Sequence, residues 1–219
     1  MGTMHEPRRE RFTAPTPSDL GDREVEREGD SLDGVRVALL VTGSIAAFKA
    51  PLVARALRRQ GASVRAFASS EALRYVTADA LSWACAAPTV IELTPESEHL
   101  SDDAPYDVYL CAPATLNTIS KLACGIADGT VTAALASALG RMERGRAGVL
   151  LAPCMHGSMH TSILERHVEA LASMGVRIVP PRDAAGKHNL PDEAVLVAAV
   201  VDDVRRRKST RAGGRERNA

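Results

Sequence analysis

The sequence predicts an α/β fold in which a single doubly wound parallel sheet carries helices on both faces. Two apolar runs, VRVALLV (residues 35–41) and SVRAFA (residues 63–68), flank the segment IAAFKAPLVARALRRQG, which has helical periodicity and ends at Gly61. Strands that are apolar along their whole length are typical of parallel sheets that are covered on both faces. The same alternation continues along the chain, which favours one domain of the Rossmann or flavodoxin-like kind.

The later elements follow the same order. YDVYLCAPA and AGVLLAP predict buried strands, with Pro113 ending the first of them, and TLNTISKLACGIA, TVTAALASALG and HTSILERHVEALASMG predict helices. VRIVPP and a final helix from about Pro191 to Arg205 complete the domain. Pro51 lies inside the first predicted helix, where a proline indicates either a kink or a later helix start.

Composition excludes several classes of function. The 219 residues include 27 basic and 27 acidic side chains, so no net charge attracts nucleic acid or an anionic membrane. The four cysteines lack CxxC spacing, which argues against a zinc site and against a secreted disulfide framework, and no metal site is predicted. No apolar run approaches the roughly 18 residues of a membrane span, so we expect a soluble cytoplasmic protein.

Three regions are predicted. Residues 1–33 are rich in Pro, Arg and Glu and contain few apolar side chains, which predicts a disordered arm. Residues 34–205 form the folded domain, and residues 206–219 are predicted to be a disordered basic tail.

In open parallel sheets the ligand site lies beyond the carboxyl ends of the strands. After the first strand, Gly43 would let a ligand approach the backbone, and Ser44 with the N–H groups of Ile45 and Ala46 would face an anion. The tripeptide TGS matches neither GxGxxG nor the P-loop pattern, and taken alone it is better explained as an ordinary serine helix cap.

Two further segments contain candidate polar groups. In APATLNT, Thr115 would cap a helix and Asn117 would lie in its first turn, although an exposed asparagine at a helix start explains the pattern equally well. His99 lies in a polar loop between Glu98 and Asp102, whose carboxylates would hold its imidazole in one tautomer and make it a base. A solvated loop histidine is the alternative.

Taken together, VTGSIAAFKA, EHL, APATLNTISKLACGIADGTVTAALA and LAPCMHGSMH resemble the flavin-containing cysteine decarboxylases. This family includes phosphopantothenoylcysteine decarboxylase and the epidermin-type peptidyl-cysteine decarboxylases. The resemblance covers roughly residues 34–204, and its most specific part is PATLNT, which is similar to the family motif PASANT. It implies a flavoprotein domain, FMN as cofactor, and a homotrimer with FMN at the subunit interface, usually assembled into a homododecamer.

The resemblance also implies roles for individual residues. His99 matches the active-site histidine, which would take the thiol proton, and Asn117 matches the asparagine that orients the substrate carboxylate. The implied cofactor-binding residues are Gly43, Ser44, Ile45, Ser69, Ser70, Pro113, Ala114 and Thr115. The implied substrate-binding residues, besides Asn117, are Met155, His156 and Met159.

Two segments depart from the family pattern. The family's substrate clamp reads PxMNxxMW, whereas this chain has PCMHGSMH, in which His156 and His160 replace Asn and Trp. The family's later flap contains a cysteine that returns electrons in the coenzyme A enzyme, whereas AAGKHNLPDEA contains none. His156 and His160 in the clamp, like Lys187 and His188 in the flap, would either bind substrate or face solvent.

These features predict FMN-dependent oxidative decarboxylation of the C-terminal cysteine of a ribosomally made precursor peptide, such as a lanthipeptide precursor. The product would be an aminoenethiol on the route to S-aminovinyl-cysteine. One alternative is phosphopantothenoylcysteine decarboxylation in coenzyme A biosynthesis. Another is a non-catalytic flavin-binding or regulatory subunit of the same fold, whereas a flavin prenyltransferase is disfavoured by PATLNT and the loop histidine.

Overall fold

A five-stranded parallel sheet forms the centre of the protein, in the order β2-β1-β3-β4-β6. The structure is a computed structural model that describes residues 12–100 and 104–216. The strands of this sheet are β1 (Arg36–Val41), β2 (Ser63–Ala68), β3 (Val108–Ala114), β4 (Gly148–Pro153) and β6 (Arg177–Ile178). A smaller antiparallel sheet contains β5 (Met155–His156), β7 (Arg182–Ala184) and β8 (Lys187–Asn189), in the order β5-β8-β7.

Helices cover both faces of the parallel sheet. They are α1 (Ala50–Arg59), α2 (Ala78–Cys85), α3 (Leu116–Ala123), α4 (Thr130–Glu143), α5 (Ser162–Ser173) and α6 (Glu193–Glu216). One apolar core packs α1, α2 and α6 on one face of the sheet, and a second packs α3, α4 and α5 on the other. Successive residues of β1 alternate between these cores, because strand side chains point to opposite faces. The predicted doubly wound fold is therefore confirmed.

The first helix begins later than its periodicity predicted. Residues Ile45–Lys49 form a 3-10 helix, and α1 starts at Ala50, so Pro51 lies in the first turn of α1. A proline is tolerated there because the first amides of a helix have no intrahelical acceptor. The later start explains Pro51, and no kink is needed.

Pro113 does not end its strand, contrary to the prediction. β3 continues through Ala114, and its register with β4 shifts between Cys111 and Ala114. A proline has no N–H to donate to the neighbouring strand, so the irregularity falls where the ladder is interrupted.

Both boundaries of the folded domain differ from the predicted ones. Leu32 is fully buried in the core and its amide bonds to the carbonyl of Gln60, so packing begins before residue 34. At the other end, α6 continues through Glu216, and Arg207 donates hydrogen bonds to Asp203 and to the carbonyl of Asp107. Residues 1–11 and 217–219, which belong to the predicted arm and tail, lie outside the described residues.

No helix in the described parts of the chain combines the length and the apolar character that a membrane crossing requires.

Candidate active site at the carboxyl ends of the strands

A cavity of about 880 Å³ lies beyond the carboxyl ends of the parallel strands. Its wall is formed by the turns after β1 and β2, the first turns of α3 and α4, the segment after β4, and β8. This is the position at which open parallel sheets bind ligands, and the volume lies within the usual range of cofactor and substrate sites. Among the predicted site residues, those in the wall are Gly43, Ser44, Ile45, Ser69, Ser70, Thr115, Asn117, Met155, His156 and Met159.

The turn after β1 is held by a buried threonine that the sequence analysis missed. The Thr42 hydroxyl donates to the carbonyl of Pro113 over 2.7 Å and accepts from the amide of Thr115 over 3.2 Å. The same side chain therefore joins the end of β1 to the end of β3. The turn also requires glycine at position 43, because a Cβ there would collide with the Cβ of Glu71 after β2.

Ser44 caps the 3-10 helix, as a serine at that position predicts. Its hydroxyl accepts from the amide of Ala46 over 3.3 Å and lies 3.6 Å from the sulfur of Cys154, which also lines the cavity. The expectation that the Ala46 amide would be free to face an anion is therefore wrong. The Ser44 hydroxyl remains at the cavity wall as a polar group.

Two predicted cofactor contacts do not reach the cavity. Pro113 and Ala114 are buried, because β3 extends through both residues, and neither lines the cavity wall. Their backbone is nevertheless close to the site, since the carbonyl of Pro113 accepts the Thr42 hydroxyl. Ser69 does line the wall, and its hydroxyl accepts from the amide of Ala72 over 3.2 Å.

The start of α3 presents Asn117 to the cavity. Thr115 caps this helix through its hydroxyl, which accepts from the amide of Thr118, and Asn117 is exposed at the wall. One turn further along, Lys121 donates to Asp128 over 2.7 Å. This hydrogen bond lowers the pKa of the exposed Asp128 carboxyl. Lys121 and Asp128 therefore form an ion pair in the cavity wall, which the sequence analysis did not identify.

The segment after β4 and β8 form the opposite wall. Met155 is buried, while His156 and Met159 are exposed, and all three line the cavity. Met155 and His156 form β5 and pair with His188 and Lys187 of β8. Lys187, His188 and Asn189 also line the cavity, so the flap that departs from the family pattern is part of the site.

His99 lies outside the cavity wall of its own chain. Its Nδ1 is buried and has no hydrogen-bond partner among the described residues. Burial would raise the pKa of the neighbouring Glu98 carboxyl, but hydrogen bonds from the Thr94 amide and hydroxyl outweigh burial and lower it. Asp102, the other carboxylate expected beside His99, lies outside the described residues.

Within residues 12–100 and 104–216, no group of three or more His, Cys, Asp or Glu side chains is arranged to hold a metal ion. The polar groups of the cavity wall are hydroxyls, amides, imidazoles, the Lys121–Asp128 pair and the further charged residues Lys187, Glu71 and Glu92. Such a set suits an organic ligand with an anionic group.

Comparison with known proteins identifies the family. The profile of the Flavoprotein family matches residues 25–205, which is most of the chain and includes every strand and helix start around the cavity. The chain belongs to this family, among its flavin-containing cysteine decarboxylases. At the level of the family, the predictions of a flavin-dependent cysteine decarboxylase and of FMN as cofactor are confirmed.

Two solved structures illustrate the likeness. The FMN-dependent cysteine decarboxylase SpaF is 26% identical, with a TM-score of 0.65, and the match covers 77% of this chain and 99% of SpaF. The FMN-dependent cysteine decarboxylase TvaF from thioviridamide biosynthesis is also 26% identical, with a TM-score of 0.58, and the match covers 67% of this chain and 90% of TvaF.

The chain is also similar to proteins of coenzyme A biosynthesis. The coenzyme A biosynthesis bifunctional protein CoaBC of Thermococcus kodakarensis is 34% identical over 175 residues, or 78% of this chain. The corresponding protein of Methanocaldococcus jannaschii is 32% identical over 79% of this chain. In both cases the match spans 42% of the relative's length.

Proposed function

We propose that the protein binds FMN in the cavity at the strand ends and oxidatively decarboxylates the C-terminal cysteine of a ribosomally made precursor peptide. The observation that carries this proposal is the composition of the cavity wall. Hydroxyls at strand ends and helix starts, an asparagine in the first turn of α3 and an unusual histidine-containing clamp all line the cavity. The proposed product is an aminoenethiol, which is a precursor of S-aminovinyl-cysteine.

The residues at the strand ends fit FMN. Ser44, Ser69 and Thr115 place hydroxyls in the wall beside helix starts, where an anionic phosphate is favoured by the helix dipole and by polar donors. Gly43 keeps the backbone of the first turn accessible. When bound, FMN would supply the acceptor for the hydride that leaves the cysteine Cβ.

Asn117 would orient the substrate carboxylate. Its side chain is exposed at the cavity wall and neutral, so it can bind the carboxylate by hydrogen bonds. A cation at the same place would stabilise the carboxylate more strongly in the ground state than after CO2 has left, and would therefore slow decarboxylation.

His99 would serve as the base that accepts the substrate thiol proton, acting in the cavity of a second copy of the chain. Its buried Nδ1 lacks a partner in the described residues, and the side chain is absent from the cavity wall of its own chain. Three apolar side chains next to the first turn, Ile45, Phe48 and Leu52, are more than half exposed, and Ile45 also lines the cavity. Exposed apolar surface that adjoins a cavity is typical of an interface, so these features support a homo-oligomer with shared sites, for which the family resemblance implies a homotrimer assembled into a homododecamer.

Phosphopantothenoylcysteine is the second candidate substrate, because the coenzyme A biosynthesis proteins are 32% and 34% identical to this chain. One observation favours the peptide instead. The flap segment AAGKHNLPDEA, residues 184–194, contains no cysteine that could return electrons to the product.

A mass assay tests the proposal. The purified protein is reconstituted with FMN, its flavin absorbance is recorded, and it is incubated separately with Cys-terminated peptides and with phosphopantothenoylcysteine. We expect the peptides to lose the mass of CO2 plus two hydrogens. Decarboxylation of phosphopantothenoylcysteine, with or without the loss of two hydrogens, while the peptides stay intact would favour the second candidate.

A His99→Ala variant separates an enzyme from a non-catalytic flavin-binding subunit. We expect the variant to keep its FMN absorbance and to lose turnover. A wild-type protein that binds FMN but converts neither substrate would contradict the enzymatic proposal.

A further inference from the structure

Two histidines and two carboxylates form a continuous hydrogen-bonded row beside the cavity. Its three contacts are His188 Nδ1 to Asp183 Oδ1 at 2.6 Å, His188 Nε2 to His160 Nδ1 at 2.7 Å, and His160 Nε2 to Glu165 Oε1 at 3.0 Å. We call this row of four side chains the histidine bridge. The two imidazole centroids lie 4.9 Å apart and the rings are inclined by 48°.

The histidine bridge joins two separate parts of the cavity wall. Asp183 and His188 belong to the hairpin of β7 and β8, whereas His160 precedes α5 and Glu165 lies in the first turn of α5. Strand pairing contributes little to holding these parts together, because β5 pairs with β8 over only two residues. Since His188 lines the cavity, the bridge determines where one imidazole of the wall is held.

Proton counting restricts the state in which all three contacts are hydrogen bonds. Ionised carboxylates only accept, so the outer two contacts each need an N–H from an imidazole. The central contact needs one more N–H, which makes three in total. Two neutral imidazoles carry two N–H groups and two imidazolium ions carry four, so the bridge is complete only when the pair holds one extra proton.

The charges around the pair fit a shared proton. Asp183 of β7 and Glu165 of α5 are directly bonded to the two rings. Lys187 precedes His188 in β8, and His156 of β5 pairs with Lys187 and bonds through Nδ1 to the Ser158 hydroxyl over 2.7 Å. A carboxylate therefore lies at each end of the pair, and Lys187 is the cation next to it along β8.

We propose that His160 is a positioning residue for this enzyme: by sharing one proton with His188, it fastens the hairpin against the clamp and holds His188 in the wall where substrate binds. The part of this inference that concerns substrate rests on the proposed function. The part that concerns the hairpin does not, because all three contacts of the bridge join side chains of the protein itself.

Amide hydrogen exchange of the FMN-loaded protein tests the bridge without any turnover. We expect the amides of residues 182–189 to be best protected at the pH where the pair holds one extra proton, because all three contacts are then hydrogen bonds, and less protected at higher and lower pH. In His160→Phe the exchange of this segment should rise by about tenfold at that pH, as expected for loss of a charge-assisted hydrogen bond, and should lose its pH maximum.

Two further variants make the result specific. His160→Asn keeps an amide near the position of Nδ1, so it should restore part of the protection without the pH maximum. His167→Phe is the matched control, because His167 lies on α5 and bonds to Ser120, away from the hairpin. Equal exchange of residues 182–189 in the wild type and in His160→Phe at every pH would overturn the proposal.

The substrate readout is a separate measurement. With the substrate identified by the mass assay, His160→Phe should raise KM by about tenfold and change kcat little, because the bridge supports binding rather than the reacting groups. If hydrogen exchange shows the bridge but neither candidate substrate is converted, the proposed function fails and the hairpin inference stands. A fall in kcat with unchanged KM would contradict the positioning role.

Discussion

At the scale of single residues, the four cysteines differ in their surroundings and should differ in reactivity. Burial raises the pKa of the Cys85 thiol to about 12, and it also raises the pKa of the fully buried Cys111. Cys124 is exposed, and Cys154 lines the cavity. Because the thiolate is the reactive form, we expect Cys124 to react first with a disulfide reagent at mildly alkaline pH, and Cys85 and Cys111 only after unfolding.

Following the reaction by absorbance and mass spectrometry checks this order. Cys124→Ser should remove the fastest phase, and added FMN should slow the labelling of Cys154 while leaving Cys124 unchanged. Rapid labelling of Cys85 in the folded protein would contradict the burial argument.

Individual site residues were predicted with uneven success, and the reasons are physical. Ser44 and Thr115 were recognised as caps because a hydroxyl residue at a helix start is a local signal. Thr42 was missed because its role comes from contacts with Pro113 and Thr115, more than 70 residues away. Pro113 was misjudged because the continuation of a strand depends on its neighbours.

At the scale of elements, a buried carboxylate holds the arginine that ties α6 to the start of β3. Asp203 is buried and accepts from Arg207 over 2.7 Å and from Arg206 over 3.1 Å, all within α6, and Arg207 also donates to the carbonyl of Asp107 over 2.8 Å. The helix can approach β4 because residue 148 is glycine, since a Cβ there would overlap the Asp203 carboxylate.

Asp203→Asn should therefore destabilise the protein, because it removes the charge that two guanidinium groups share and turns one acceptor into a donor. We expect the free energy of unfolding to fall by about 1–3 kcal/mol, measured by denaturant titration. Arg206→Ala is the control: its side chain is 63% exposed, so the loss should stay below about 1 kcal/mol. Equal losses in both variants would show that Asp203 does not anchor the helix through Arg207.

Long elements were predicted more reliably than short ones. Apolar runs and helical periodicity are local, so β1 to β4 and the helices α1, α3, α4 and α5 could be recognised from the sequence, whereas the short helix α2 after β2 was not predicted. The hairpin of β7 and β8 could not, because each strand has three residues and the turn contains Ala185 and Gly186, both at positive φ, without an Asn-Gly or Asp-Gly signal.

At the scale of the whole molecule, the position of the site followed from the fold, but the position of His99 did not. Parallel strands place their carboxyl ends at one edge, so three separate sequence segments could be expected to meet there. His99 lies in a loop, as its polar surroundings predicted, but it does not line the cavity of its own chain. The residues near it in sequence carry no signal for that position.

Mixing two inactive variants tests whether cavity and base come from different copies of the chain. His99→Ala removes the base and leaves the cavity intact, whereas Asn117→Ala changes the cavity and leaves the base. If each site combines the cavity of one chain with His99 of the next, co-expression in equal amounts should give about one quarter of wild-type activity, because random mixing around a ring pairs an intact cavity with an intact base that often. The activity of the co-expressed variants is measured as turnover per bound FMN. Each variant alone is the control, and mass spectrometry shows whether mixed oligomers form. Mixed oligomers without activity would place both groups in the same chain and contradict the shared site.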